Sequence, residues 1–248
     1  MFAVTTGEIL ASSICRRPST VTSPGASAGG RVGKPEPMAM RIVLLSDVEN
    51  RGGAGIAAGR LAAGLAARGH DVRWVAARPD SGEHTWHSAP FQLSPLLRVV
   101  DGICQRNGTR PASLLRGLIV RRSLRTLLED LAPDVVNLHN VHGARWSVDI
   151  FDAVPARSLP IWTLHDMWTL TGRCAYAFGC RQYLTACSAT CPTPSEYPVL
   201  APERIATAHA ERRRVLQRRP DAIAVAPSRW LAREAMGGLW HRHRVAHI

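Results

Sequence analysis

From Met40 onward, short apolar runs alternate with longer stretches of helical periodicity, and this alternation limits the fold more than any other feature. Residues 41–46 (RIVLLS), 72–77, 135–139 (VVNLH), 161–165 (IWTLH) and 222–226 each read as a strand, and 245–248 begins one more. An uninterrupted apolar run such as 41–46 is what a strand buried on both faces requires. Between these runs, residues 56–68 place Ile56, Leu61 and Leu65 among alanines, with Gly69 as the stop. Residues 113–131 repeat Leu114, Leu118, Leu124, Leu127, Leu128 and Leu131 at helical spacing, and Pro111 suits the helix start. A short helix is expected at 148–153 and a basic amphipathic helix at 202–219, ended by Pro220. Ser228 is placed to cap a last helix from Arg229. Strand–helix alternation of this kind predicts an α/β fold with a doubly wound parallel sheet and right-handed crossovers. Residues 1–37 are rich in Ser, Thr, Gly and Pro without periodicity, which predicts a disordered leader before one folded domain at 38–248.

Charge and hydropathy narrow the function classes. No run of about 18 uncharged apolar residues occurs, so no spanning helix is expected. Glu8 and the lack of an early basic cluster argue against a secretory leader, so a cytoplasmic location is expected. The net charge of +12 invites a nucleic-acid partner, yet Lys34 is the only lysine among 31 basic residues and the charge is spread along the chain. That pattern argues against nucleic acid. The denser stretches at 116–125 and 204–219 read either as solvated helix faces or as a peripheral surface toward an anionic bilayer.

Four segments carry chemistry. The first is Gly52, Gly53, Ala54 and Gly55, after the first strand and opening the first helix. Free amide groups and the helix dipole at such a position suit a diphosphate, and a tight turn is the plainer alternative. The same residues fit G-x-G-x-x-A, which keeps an NADP-dependent oxidoreductase open, with Arg78 for a 2′-phosphate. Against it, the glycines stand five residues beyond the strand, and the second strand lacks a terminal acid. The second segment, with His139, Asn140 and His142, and the third, with His165 and Asp166, stand at the carboxyl ends of neighbouring strands. Open parallel sheets place ligands there, and imidazoles can bond hydroxyls or move a proton near neutral pH. The fourth is Cys174, Cys180, Cys187 and Cys191, spaced C-x5-C-x6-C-x3-C in a loop. It reads as a structural zinc site, as buried thiols or as a redox-labile pair.

Taken together, GGAGIAAGRLAAGL, PDVVNLHNVHG, WTLHDMWTLTGRCAYAFGC and VAPSRWLA resemble the family 4-like bacterial glycosyltransferases, over about residues 40–248. The resemblance implies a GT-B fold, two Rossmann-like domains across a cleft, with this chain supplying the N-terminal, acceptor-side half. It implies retaining transfer from a nucleotide-sugar donor to a glycan or lipid-linked acceptor, in surface polysaccharide or glycolipid biosynthesis, with no catalytic metal. On it, Gly52, Gly53, Ala54 and Gly55 face the donor phosphates, and His139, His165 and Asp166 are the catalytic candidates. Asn140 and His142 are donor or acceptor contacts. The sequence stops where the family's linker begins, which predicts that the C-terminal donor-binding domain is absent and that the chain is a fragment or one partner of a split enzyme, weak or inactive alone. A non-catalytic glycan-binding module is the alternative. The C-x3-C spacing departs from the C-x-x-C of relatives.

Overall fold

A computed structural model describes residues 38–88 and 110–248 apart from 145 and 194, together with scattered residues between 91 and 103. The expected leader at 1–37 lies outside the described residues. The strands are β1 (Arg41–Val48), β2 (Asp71–Arg78), β3 (His87–Ser88), β4 (Val135–Leu138), β5 (Leu159–Thr163), β6 (Ile223–Ala226) and β7 (Arg244–His247). The helices are α1 (Gly52–Ala66), α2 (Arg110–Leu131), α3 (Pro202–Arg218) and α4 (Arg229–Gly237), with a 3-10 turn at Val148–Ala153. Among the described residues the strands form one parallel sheet in the order β3-β2-β1-β4-β5-β6-β7. This is a Rossmann-like α/β fold. The order reverses between β1 and β4, and a doubly wound sheet opens its ligand crevice at such a reversal.

Strand alternation explains the two cores. In β1, Val43 and Leu45 face one side with Val136, Leu138, Leu124, Leu128 and Trp162. Ile42 and Leu44 face the other with Ala58, Ala62, Leu65 and Trp74. Both faces are covered, which is why β1 reads as an unbroken apolar run. The register sets Ile42 against Val72 on one side and Val135 on the other.

Two differences from the sequence reading have local causes. Helix α1 begins at Gly52 instead of residue 56, so the glycines form its first turn. Asn50 at φ 51° and Gly52 at φ 64° turn the chain sharply after β1 and let the helix start early. Strand β3 was not foreseen. Its two residues are exposed and pair only through Arg73–His87 and Trp74–Ser88, so no apolar pattern marks it. No helix among the described residues is long and apolar enough to cross a membrane.

Candidate functional site

The carboxyl ends of β1 and β4 are stitched together beyond the strands. Asp47 N–H donates to the Asn140 carbonyl at 2.8 Å, and His139 N–H donates to the Leu45 carbonyl at 2.9 Å. Asp47 is buried, and burial raises its carboxyl pKa against the lowering effect of a Val48 backbone bond and Arg78. A Cβ at position 143 would collide with Asp47 Oδ2, so glycine is needed there for the carboxyl to lie where it does.

Glu49 anchors the turn between β1 and α1. It is fully buried, and it accepts from the Asp80 amide at 3.0 Å, Trp86 Nε1 at 2.7 Å and Ser88 Oγ at 2.5 Å. This carboxylate ties β3 to the turn. Asn50 donates to Asp80 at 3.3 Å, and its side chain lies where a Cβ on Gly59 would come within 2.8 Å. The amino end of α1 is left open. Among the described residues, Arg51 makes no capping bond, no acidic side chain stands in the first turn, and nothing approaches Gly52 or Gly53 within 4 Å of a Cβ position. Amide groups there are free to meet an anion.

One strand over, two imidazoles touch. His139 Nδ1 and His165 Nε2 are 2.8 Å apart, and His139 Nε2 is buried with no partner among the described residues. Burial holds the His139 pKa well below its ordinary value, helped by His165, and burial alone lowers His165 to about 4. At neutral pH both rings are therefore uncharged, one donating to the other.

His142 Nε2 lies 3.5 Å from Asp166 Oδ2. Burial, then Arg212, lowers His142 to about 4, whereas burial pushes Asp166 up to about 6. The contact at pH 7 thus joins a neutral imidazole to a carboxylate and is not an ion pair. Asp166 Oδ1 accepts from the Trp168 amide at 2.8 Å. Trp168 is flanked by His142, ring centroids 5.5 Å apart, and by the Arg212 guanidinium 4.1 Å from its centroid. Tyr197 sets its ring edge-on to His142 at 5.4 Å.

His139, Asn140, His142, His165 and Asp166 line one small crevice. The Gly52–Gly55 segment lies at the same edge of the sheet, after the adjacent strand β1. Asp47, Trp168, Tyr197 and Arg212 belong to this neighbourhood and were missed in the sequence, and Arg78, singled out there only for a 2′-phosphate, joins them beside Asp47. Asp47 had a usable signal, since it stands at the end of β1 at the strand-order reversal. Arg212 had none, being one arginine in a basic helix.

The cysteines do not support zinc. Among the described residues no three His, Cys, Asp or Glu side chains gather as a metal-ligand group. The buried Arg173 guanidinium donates to Cys174 Sγ at 3.3 Å and Cys191 Sγ at 3.9 Å, and Cys187 Sγ accepts from the Gly172 amide at 3.1 Å. A cation already sits against two of the sulfurs, which opposes a dication at the same place. All four are free thiols, and burial raises the pKa of Cys174 and Cys187.

Comparison with known proteins gives two findings. A family model described as Glycosyltransferase Family 4 matches residues 51–248. Over 93 residues the chain is 36% identical to an Escherichia coli K12 protein named as a colanic acid biosynthesis glycosyl transferase (WcaC). That stretch covers 34% of this chain and 22% of the relative.

Proposed function

The chain belongs to glycosyltransferase family 4, and from that premise we propose that its crevice serves retaining transfer of a sugar from a nucleotide-sugar donor to a glycan or glycolipid acceptor. The observation that carries the reading is the placement of an open helix amino end and a neutral imidazole–carboxylate cluster beyond adjacent parallel strands, where the strand order reverses. The amide groups of Gly52, Gly53, Ala54 and Gly55 face the donor diphosphate in this scheme. They stabilise the charge that develops on the leaving phosphate oxygen. The bond between the sugar's anomeric carbon and that oxygen breaks. An acceptor hydroxyl oxygen bonds to the same face of the carbon, and its proton passes to a phosphate oxygen of the departing nucleoside diphosphate. His139, His165 and Asp166 orient the reacting hydroxyls, with Asn140 and His142 as further hydrogen-bond partners.

In this reading the sheet is one wall of a GT-B cleft, and the acceptor is part of a surface polysaccharide or glycolipid. The name of the Escherichia coli relative, from colanic acid biosynthesis, supports that class of product. Arg78, the residue the oxidoreductase alternative would need for a 2′-phosphate, lies near enough to Asp47 to lower its carboxyl pKa, which weighs against that alternative.

The test is calorimetry of the full chain against a panel of uridine and guanosine diphosphate sugars and against NADPH. A sugar nucleotide is expected to bind in the wild type and to bind at least tenfold more weakly in His139→Ala. Binding of NADPH with no response to any sugar nucleotide would overturn the proposal.

A further inference from the structure

Three aromatic side chains stand together on the surface beyond β5 and β6. Tyr176 is 50% exposed, Phe178 58% and Trp230 40%. The Tyr176 and Phe178 rings meet edge to face, centroids 5.0 Å apart at 81°, and Tyr176 and Trp230 lie 5.6 Å apart at 45°. They form an angular wall in place of a flat apolar face. Half-exposed rings gathered like this are unusual on a polar surface and mark a recognition site more often than chance.

The local fold explains how they are displayed. Ala177 is buried between Tyr176 and Phe178, so the two rings alternate outward around an anchored residue. Phe178 is held at φ 49°, a left-handed conformation that a bulky side chain rarely adopts. Strain of this kind persists where the surroundings fix it, and it tends to cluster at sites of function. Trp230 stands in the first turn of α4, which Ser228 caps through the Leu231 amide at 3.1 Å.

Backbone hydrogen bonds tie the segment that carries the wall to the segment that lines the crevice. Leu164, beside His165, donates its amide to the Val225 carbonyl in β6 at 2.8 Å. Met167, beside Asp166, donates to the Ala175 carbonyl at 2.8 Å, and Ala175 donates to the Tyr197 carbonyl at 3.0 Å. One backbone ladder therefore joins the Asp166 segment to Tyr176 and to Tyr197, which touches His142. Along the carboxyl edge the order is fixed by the sheet: the open end of α1 follows β1, the imidazoles follow β4 and β5, and Trp230 follows β6. With strands about 4.8 Å apart, three steps separate the two ends by about 14 Å. One helical turn on from Trp230, Glu234 pairs with Arg181 at 3.2 Å and accepts from the Tyr183 hydroxyl.

We propose that Tyr176, Phe178 and Trp230 form a subsite for a pyranose ring of the acceptor glycan, which stacks its C–H face on the rings while its hydroxyls meet the polar rim. The proposal rests on the transfer reading above. It places the diphosphate at the β1 end, the reacting hydroxyl at the crevice and the remainder of the acceptor toward β6. A bilayer or a second copy would call for a broad apolar face, and these rings are set at steep angles beside an ion pair. Aromatic rings with adjacent hydrogen-bonding groups are what an amphiphilic sugar ring requires.

The test is saturation-transfer NMR of the full chain with methyl α-D-glucopyranoside, methyl α-D-mannopyranoside, methyl β-D-galactopyranoside and methyl α-L-fucopyranoside. Uridine and guanosine diphosphate are titrated into the same samples. At least one glycoside is expected to receive saturation on its ring C–H protons. Tyr176→Ala and Trp230→Ala should weaken it at least fivefold, and Trp230→Phe should keep it within twofold. Phe178→Gly keeps the test sharp where other variants fold poorly, because glycine relaxes the left-handed backbone: that variant should melt higher and bind glycoside more weakly. Absence of saturation in the wild type, or wild-type saturation in Tyr176→Ala, overturns the subsite. So does a result in which the variants lose phosphatidylglycerol-vesicle binding or self-association while glycoside binding is unchanged. Glycoside binding governed by the three rings, with no response to either nucleotide, leaves the subsite standing and sinks the transfer reading.

Discussion

A buried guanidinium with no carboxylate at ion-pair distance carries a desolvation cost that its neighbours must offset, and Arg212 is 4% exposed in that situation among the described residues. Its offsets are the face of Trp168, the Gly172 carbonyl at 3.1 Å and the Ala208 carbonyl at 3.0 Å. Burial lowers its pKa only to about 10, so it stays charged at neutral pH. That charge favours the Asp166 carboxylate and disfavours the His142 imidazolium. Arg212→Met should therefore raise both midpoints, Asp166 above about 6 and His142 above about 4, as read by NMR titration of the two side chains. If the Asp166 midpoint stays in place, Arg212 is electrostatically irrelevant to the crevice. The same residue marks a limit of sequence reading. His139, His142, His165 and Asp166 were legible because each follows an apolar run at a strand end. Arg212 was not, because nothing in ERRRVLQRR distinguishes the arginine that turns inward from those that do not. Asp47 is one of the five residues between the first strand and the glycines, a stretch whose length alone entered the sequence reading.

Helix α1 is where element and function meet with opposite signs. Its first turn lacks a side-chain cap and an acid, so its dipole is uncompensated at that end. Among the described residues nothing crowds a Cβ at position 53, so Gly53→Asp fits without a clash. A carboxylate there should stabilise the fold by about 0.3–1 kcal/mol through the dipole. It should also weaken a diphosphate ligand by more than tenfold, because it occupies the same field. Urea denaturation and nucleotide calorimetry on one variant separate these effects, and tighter nucleotide binding would remove α1 from the site. The other helices correct the reading of charge. Arg121 of α2 lies 3.5 Å from Asp149, and Arg218 of α3 pairs with Asp152, so part of each basic stretch is spent between elements and not offered to a bilayer. Periodicity recovered six strands and four helices because their apolar faces are long enough to repeat. It missed β3, which is held by Glu49 through side-chain bonds that leave no periodic trace.

Across the whole molecule, the buried titratable groups make stability a function of pH with a sign that can be worked out. His142 and His165 have folded midpoints of about 4 against about 6.5 when unfolded, and His139 shifts the same way. Below pH 6.5 the unfolded chain takes up protons that the folded one refuses, so stability present above 6.5 is lost as pH falls toward 4. At pH 5 the loss is about 2 kcal/mol each for His142 and His165. Asp166, pushed up to about 6 from 3.8, runs the other way: it costs stability above its folded midpoint and recovers about 1.4 kcal/mol at pH 5. Asp47 adds to that recovery. His209, buried and lowered in the same direction, joins the other three imidazoles, and against two carboxyls they leave a net loss on acidification of a few kcal/mol. The urea midpoint should therefore fall between pH 7.5 and 5, and His142→Asn should flatten the slope. Added salt separates this from simple self-repulsion of a chain with net charge +12. Surface repulsion is screened at 0.5 M salt, whereas protonation of buried rings is not. A pH dependence that vanishes in salt would mean that surface charge, and not the crevice, controls acid unfolding.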